Sequence, residues 1–115
     1  PRFSPNGEWI AFTQSRTAMT TLAASDAQLK LVKPDMTGTV LDLTTLNGGT
    51  GHASSYPTWS VNGAFLSFSS NRAGGMGDWD IWIAPVDPVT GIDGAATNVT
   101  VANSPNFEHA AQWSP

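Results

Sequence analysis

The stretch PTWSVNGAFLSFSSN at residues 57–71 nearly repeats the stretch PRFSPNGEWIAFTQS at residues 1–15. The two Asn-Gly pairs are 56 positions apart, and Trp59 recurs 54 positions later as Trp113, within the shorter match QWSP at residues 112–115. A period of this order is typical of proteins built from stacked structural units. We therefore interpret the chain as two repeats followed by the opening of a third.

The residues around each Asn-Gly pair predict short β-strands. An Asn-Gly pair between apolar segments is a strong hairpin pattern, and asparagine suits a turn that needs a positive φ. No window shows a convincing helical period. The predicted strands are residues 2–4, 9–12, 28–32 and 39–43 in the first repeat, and residues 58–60, 65–68, 80–84 and 97–101 in the second.

The strands Trp9-Ile10-Ala11-Phe12 and Ile81-Trp82-Ile83-Ala84 are apolar on both faces. A sheet with one face in water would instead alternate apolar and polar residues, so each sheet is predicted to be covered on both sides. Four-stranded units in tandem, each lying between neighbours, are the blades of a β-propeller. The predicted fold is all-β, a propeller segment of about two four-stranded antiparallel blades plus the first strand of a third. Blade 1 is residues 1–50, blade 2 is residues 51–108, and the inner strand of a following blade is residues 109–115.

Three segments resemble the PD40, or TolB-like (WD40-like), β-propeller repeat. They are Phe3-Ser4-Pro5-Asn6-Gly7, Trp59-Ser60-Val61-Asn62-Gly63 and Trp113-Ser114-Pro115, with Asp80-Ile81-Trp82 and Leu43-Thr44 matching later parts of the repeat. The chain departs from the family pattern where asparagine replaces the usual aspartate and where valine replaces proline. The resemblance implies a propeller fold, a periplasmic or extracellular location, and a scaffold that binds or gates. Two blades do not close a ring, so we expect further blades, from a longer chain or from other copies.

Composition excludes several classes of function. The net charge of -4 and the five scattered basic residues leave no basic stripe for nucleic acid. No apolar run approaches the length of a membrane span. The chain has no cysteine, which excludes disulfides, thiolate metal sites and cysteine nucleophiles within it. No cofactor is predicted.

The candidate ligand-binding residues lie in loops that share one side of the resembling fold. These loops are residues 14–27, 47–56, 70–79 and 103–109, and the Asn-Gly turns fall on the opposite side. The candidates are His52, Arg72, Asp78, Trp79 and His109. Trp79, at a loop edge, could stack on a ligand. Alternatively, Arg72 pairs with Asp78 or Asp80 and holds its loop in place.

Metal binding and catalysis are less well supported by the sequence. The two histidines occupy different positions relative to the following tryptophan, and Asp78, Asp80 and Asp87 lack the spacing of a calcium loop. No nucleophile motif is present. The predicted function is therefore a non-catalytic propeller segment that binds a protein or a ligand. The alternatives are the gating propeller of a larger enzyme, such as a prolyl-oligopeptidase-like serine peptidase, and a short repeat protein whose copies assemble into a ring.

Overall fold

The chain forms two four-stranded antiparallel sheets that follow each other in sequence. The structure, a computed structural model, describes residues 2–14, 27–48, 52–74 and 79–99. The first sheet has the strand order β1-β2-β3-β4 and the second has the order β5-β6-β7-β8. The elements are β1 (Arg2–Phe3), β2 (Ile10–Gln14), β3 (Gln28–Val32), β4 (Val40–Asp42), α1 (Thr44–Asn47), β5 (Ser54–Trp59), β6 (Phe65–Ser70), β7 (Asp80–Pro85) and β8 (Thr97–Asn98).

The two sheets have the same strand register once the repeats are aligned. Phe3 pairs with Ile10 in the first sheet, and Trp59 pairs with Leu66 at the equivalent position of the second. The central ladders also correspond, because the pair Ile10 and Val32 is matched by Leu66 and Ala84. The outer ladders correspond too, with Leu31 opposite Leu41 and Ile83 opposite Thr97. The predicted repeat is therefore a repeat of structure across all four strands.

The Asn-Gly turns of the two repeats have the same hydrogen bonds. In the first, the Ser4 hydroxyl donates to Asn6 Oδ1 at 2.7 Å and accepts from the Trp9 N–H at 3.0 Å. In the second, the Ser60 hydroxyl donates to Asn62 Oδ1 at 2.8 Å and accepts from the Phe65 N–H at 3.0 Å. A serine and an asparagine two residues apart thus satisfy the polar groups of each turn locally.

Each turn contains a positive φ, and it lies at the glycine rather than at the asparagine. Gly7 has φ 74° and Gly63 has φ 73°, whereas neither asparagine is in the left-handed region. The asparagine instead uses Oδ1 to accept the N–H of Glu8 in the first turn and of Ala64 in the second. Its contribution is therefore a side-chain hydrogen bond, while glycine supplies the unusual backbone conformation.

One hydrophobic cluster joins the two sheets. Ala11, Leu29 and Leu31 of the first sheet share this cluster with Leu66 and Phe68 of the second. The tryptophans at positions 9, 59 and 82 belong to it, while Trp113 lies outside the described residues. Burial of large aromatic side chains supplies much of the free energy that holds such sheets together.

The ends of the predicted strands lie within four residues of the observed ends wherever the structure describes them, and the short helix α1 was not predicted. The third-repeat strand at residues 109–115 lies outside the described part of the chain. Within the described ranges, no helix is long and apolar enough to cross a membrane.

Candidate functional site

Parts of three loops that were predicted to share one side meet at one edge of the two sheets. The Ser54 N–H donates to the Ala27 carbonyl at 2.9 Å, and the Asn71 N–H donates to the Ala53 carbonyl at 3.3 Å. Antiparallel strands alternate in direction, so every second loop emerges at the same edge. We call this edge, formed by residues 46–48, 52–54, 70–74 and 79, the loop edge.

Arg72 is the central side chain of the loop edge. Its Nη1 donates to the Leu46 carbonyl at 2.8 Å, and its Nη2 donates to the Ser54 hydroxyl at 2.9 Å. Its Nε donates to the Ser70 hydroxyl at 3.0 Å. One guanidinium group therefore joins the end of α1 to the first two strands of the second sheet.

The acceptors described for Arg72 are all neutral. The guanidinium carbon also lies 5.1 Å from the ring centroid of Phe68 and 5.2 Å from that of Trp82. Burial disfavours the charged form and lowers the pKa of Arg72 to about 10, so the side chain remains protonated at neutral pH. Arg72 was predicted to hold its loop by pairing with an aspartate. Its described partners are instead two hydroxyl groups, a backbone carbonyl and two aromatic rings, and Asp80 is not among them.

His52 lies beside Arg72 at the end of α1. Its Nε2 is hydrogen-bonded to the Asn47 carbonyl. A Cβ at Gly48 would lie 3.2 Å from Nη1 of Arg72 and 3.9 Å from Cε1 of His52. Two of the five predicted site residues therefore converge on Gly48, whose φ of 72° also favours glycine.

The second sheet and β3 hold the short helix α1 in place. At its first turn the Leu46 N–H donates to Asp93 Oδ2 at 2.7 Å, and at its last turn the Leu46 carbonyl accepts from Arg72. The Asn47 amide accepts from the Leu29 N–H at 3.0 Å and donates to the Leu29 carbonyl at 2.8 Å. Helix ends leave backbone groups without partners within the helix. Here the side chains of Asp93 and Arg72 supply partners for Leu46, and the Asn47 side chain joins the helix to β3.

Asp93 and Asn47 are the residues of this region that the sequence analysis missed. The Asn47-Gly48-Gly49 sequence is a recognisable helix end, yet a four-residue helix has no apolar period that could identify it.

Trp79 is buried at the loop edge, with 8% of its surface exposed. It forms a small apolar cluster with Ala27 and Ala53. The structure thus places it in packing between loops, and a role in stacking on a ligand stays a prediction. Asp78 and His109 lie outside the described residues.

No group of three or more possible metal ligands is found among residues 2–14, 27–48, 52–74 and 79–99. Asp80 is the first residue of β7 and Asp87 lies two residues beyond its last, Pro85, so they are about 20 Å apart at the rise of an extended strand. These two carboxylates cannot bind the same ion. Asp87 instead accepts the N–H groups of Val89 and Thr90 in its own turn.

The described hydrogen bonds of Arg72 and His52 define the chemistry of the loop edge. A protonated guanidinium group donates hydrogen bonds but accepts no proton, so it cannot activate the Ser54 or Ser70 hydroxyl as a base. His52 is hydrogen-bonded to a backbone carbonyl rather than to a serine. A nucleophile needs a base within hydrogen-bond reach, and the described contacts contain no such pair.

Comparison with known proteins assigns no family to the chain. No family model matches it, and no curated protein matches it. The geometry of the chain itself is therefore the basis for inferring its function.

Proposed function

We propose that the chain is a two-blade segment of a PD40-like β-propeller that acts, outside the cytoplasm, as a non-catalytic scaffold for a protein or ligand. The loop edge is the proposed docking side. Loops held by a rigid sheet framework commonly carry binding functions, and Arg72 holds these loops to α1 and to the second sheet.

The observation that carries the propeller proposal is the equivalence of two sheet faces. In the second sheet, Trp59, Leu66, Phe68 and Ala84 belong to the core against the first sheet, and Ala96 packs on it. The equivalent residues of the first sheet form an apolar row on its other face. They are Phe3, Ile10, Phe12, Val32 and Val40.

We call this apolar row of the first sheet the outer face. Phe3 is 65% exposed there and Val40 is 48% exposed. The matching face of the second sheet is covered by the first sheet, so the exposed apolar outer face indicates that another sheet covers it in the same way. The occupant we propose is a further four-stranded unit, packed as the second sheet packs on the first.

Sedimentation velocity of the chain by itself tests this architecture. We expect concentration-dependent association, because contact between exposed outer faces of two copies removes apolar surface from water. Substituting Phe3→Ser together with Val40→Thr should shift the chain toward monomer. The control substitutes two exposed apolar residues outside the row, Met36→Ser with Ile92→Ser, and should leave association unchanged. A wild-type chain that stays monomeric over the whole concentration range contradicts the proposal.

A hydrolysis assay tests the non-catalytic part independently. We expect no turnover of activated ester or peptide substrates above background. Turnover that disappears in His52→Ala, with the fold retained by circular dichroism, would show that the loop edge is catalytic. The association assay has no bearing on this outcome, so the two parts of the proposal can fail separately.

A further inference from the structure

A cavity of about 350 Å³ lies where β1 and β2 meet β5, and neither Arg72 nor His52 lines it. Cavities that hold small molecules commonly measure about 300–1,000 Å³. Its lining combines one cation, hydroxyl-bearing side chains and apolar groups. The lining residues are Arg2, Phe12, Thr13, Ser55, Tyr56, Pro57 and Thr58.

The backbone beside the cavity is unusual. Strand β5 has a bulge between Ser55 and Thr58, where the register against β6 shifts. Tyr56, inside the bulge, has φ 55°, a left-handed conformation that is rare for a bulky side chain. β-bulges and strained residues are concentrated at binding sites, where they direct a side chain toward a ligand.

Arg2 is the charged residue of the lining, and it is exposed. The ion pairs described elsewhere in the first sheet join Lys30 to Asp42 and Lys33 to Glu8. Among the described residues, no carboxylate lies within ion-pair distance of Arg2. A guanidinium group in a chain of net charge -4 gives the cavity a local preference for an anion.

Four other lining residues carry hydroxyls, namely Thr13, Ser55, Tyr56 and Thr58, and the hydroxyls of Thr13 and Ser55 are hydrogen-bonded to each other at 3.4 Å. A hydroxyl both donates and accepts hydrogen bonds, which suits a ligand that itself carries hydroxyls. Water occupies about 30 Å³ per molecule in the liquid, so the cavity has room for about a dozen non-hydrogen atoms. We propose that this cavity binds a small hydroxylated carboxylate of the sugar-acid class, with Arg2 on the carboxylate.

Calorimetric titration of the 115-residue chain with glucuronate tests the site. We expect saturable binding that is at least tenfold tighter than binding of glucose, a neutral molecule of similar shape. Arg2→Gln should weaken glucuronate binding at least tenfold. This change keeps the Arg2 carbonyl, which accepts from Trp59 Nε1 at 3.1 Å. Lys30→Gln, the matched control on the same sheet, should leave it unchanged.

A second variant separates ligand binding from folding. Tyr56→Gly removes the lining side chain and relieves the left-handed backbone, so we expect an unchanged or higher midpoint of thermal unfolding together with at least fivefold weaker binding. Three results would overturn the proposal: no saturable binding of glucuronate, equal affinity for glucose, or wild-type affinity in Arg2→Gln. Because the ligand contacts only the two described sheets, none of these results depends on ring formation.

Discussion

The outer face of the first sheet and its equivalent in the second sheet have the same strand registers but opposite exposure. Phe3 is 65% exposed, whereas Trp59, at the same place in the repeat, is 6% exposed. Phe12 is half-buried, whereas Phe68 is 1% exposed. The local sequence thus sets strand position and side-chain direction, while the neighbouring sheet decides whether that side chain is buried.

The two phenylalanines offer the largest contrast. Phe68→Ala should cost about 3–5 kcal/mol, as is usual for a fully buried phenylalanine, and Phe12→Ala roughly half of that or less. Urea denaturation of dilute protein, compared with wild type, measures both. Equal losses of unfolding free energy in the two variants would mean that the two faces are equally covered, which would contradict the difference in exposure.

The contacts of Arg72 with α1 test what joins the two units. Arg72→Ala leaves the Leu46 carbonyl and two serine hydroxyls without this donor, and should cost about 2–3 kcal/mol. Arg72→Lys keeps the charge but loses the planar arrangement of donors, so we expect it to recover less than half of the loss. Thermal unfolding followed by circular dichroism measures both variants. Full recovery by lysine would show that charge alone matters.

A smaller contrast separates the two turn asparagines. Asn6 Nδ2 donates to the Pro88 carbonyl of the second sheet at 2.8 Å, in addition to the hydrogen bonds within its own turn. Asn6→Asp cannot donate this bond, and should cost about 1 kcal/mol more than Asn62→Asp. The two variants, compared by chemical denaturation, share the same change of charge. A larger loss for Asn62→Asp would contradict the assigned cross-sheet contact.

The smallest expected effect is at acid pH, in two equivalent turns. Asp87 accepts hydrogen bonds from the N–H groups of Thr90 and Val89, and these lower its pKa. Asp35 accepts hydrogen bonds from the hydroxyl and the N–H of Thr37, and these lower its pKa. A lowered folded pKa gives stabilisation that is complete above the ordinary value of 3.8 and is lost as pH falls through the folded pKa.

Asp35→Asn and Asp87→Asn should each flatten the acid side of a profile of unfolding temperature against pH. Arg72, with a pKa of about 10, adds no slope there. An unchanged acid limb in both variants would show that these carboxylates do not titrate differently on folding.

The strands and their repeat were predictable because they depend on local patterns. Polar and apolar residues alternate in Gln28–Val32, and Asp80–Pro85 is rich in apolar residues. Both patterns favour a strand without reference to the sheet that packs on it. The two Asn-Gly turns were recognisable as well, since the hydrogen bonds from serine and to asparagine Oδ1 that they share are formed within six residues. The structure brings His52 and Arg72 to one edge, next to Gly48, and the resemblance to a propeller repeat implied one side for both loops.

What the sequence could not supply depends on contacts between distant residues. Helix α1 has four residues, and its ends are satisfied by Asp93 and Arg72 from the other sheet. The acceptors of Arg72 could not be deduced either, because they include a backbone carbonyl 26 positions away. The cavity lies beside a bulge and the positive φ of Tyr56, neither of which has a sequence pattern at that position.

The most direct test of the unfilled outer face is hydroxyl-radical footprinting of Phe12 and Phe68 in one sample at two protein concentrations. The two side chains have the same intrinsic reactivity, so their modification reports exposure alone. We expect Phe12 to be modified in dilute protein and protected at high concentration, with Phe68 protected in both. Equal protection of Phe12 and Phe68 in dilute protein would contradict the unfilled outer face.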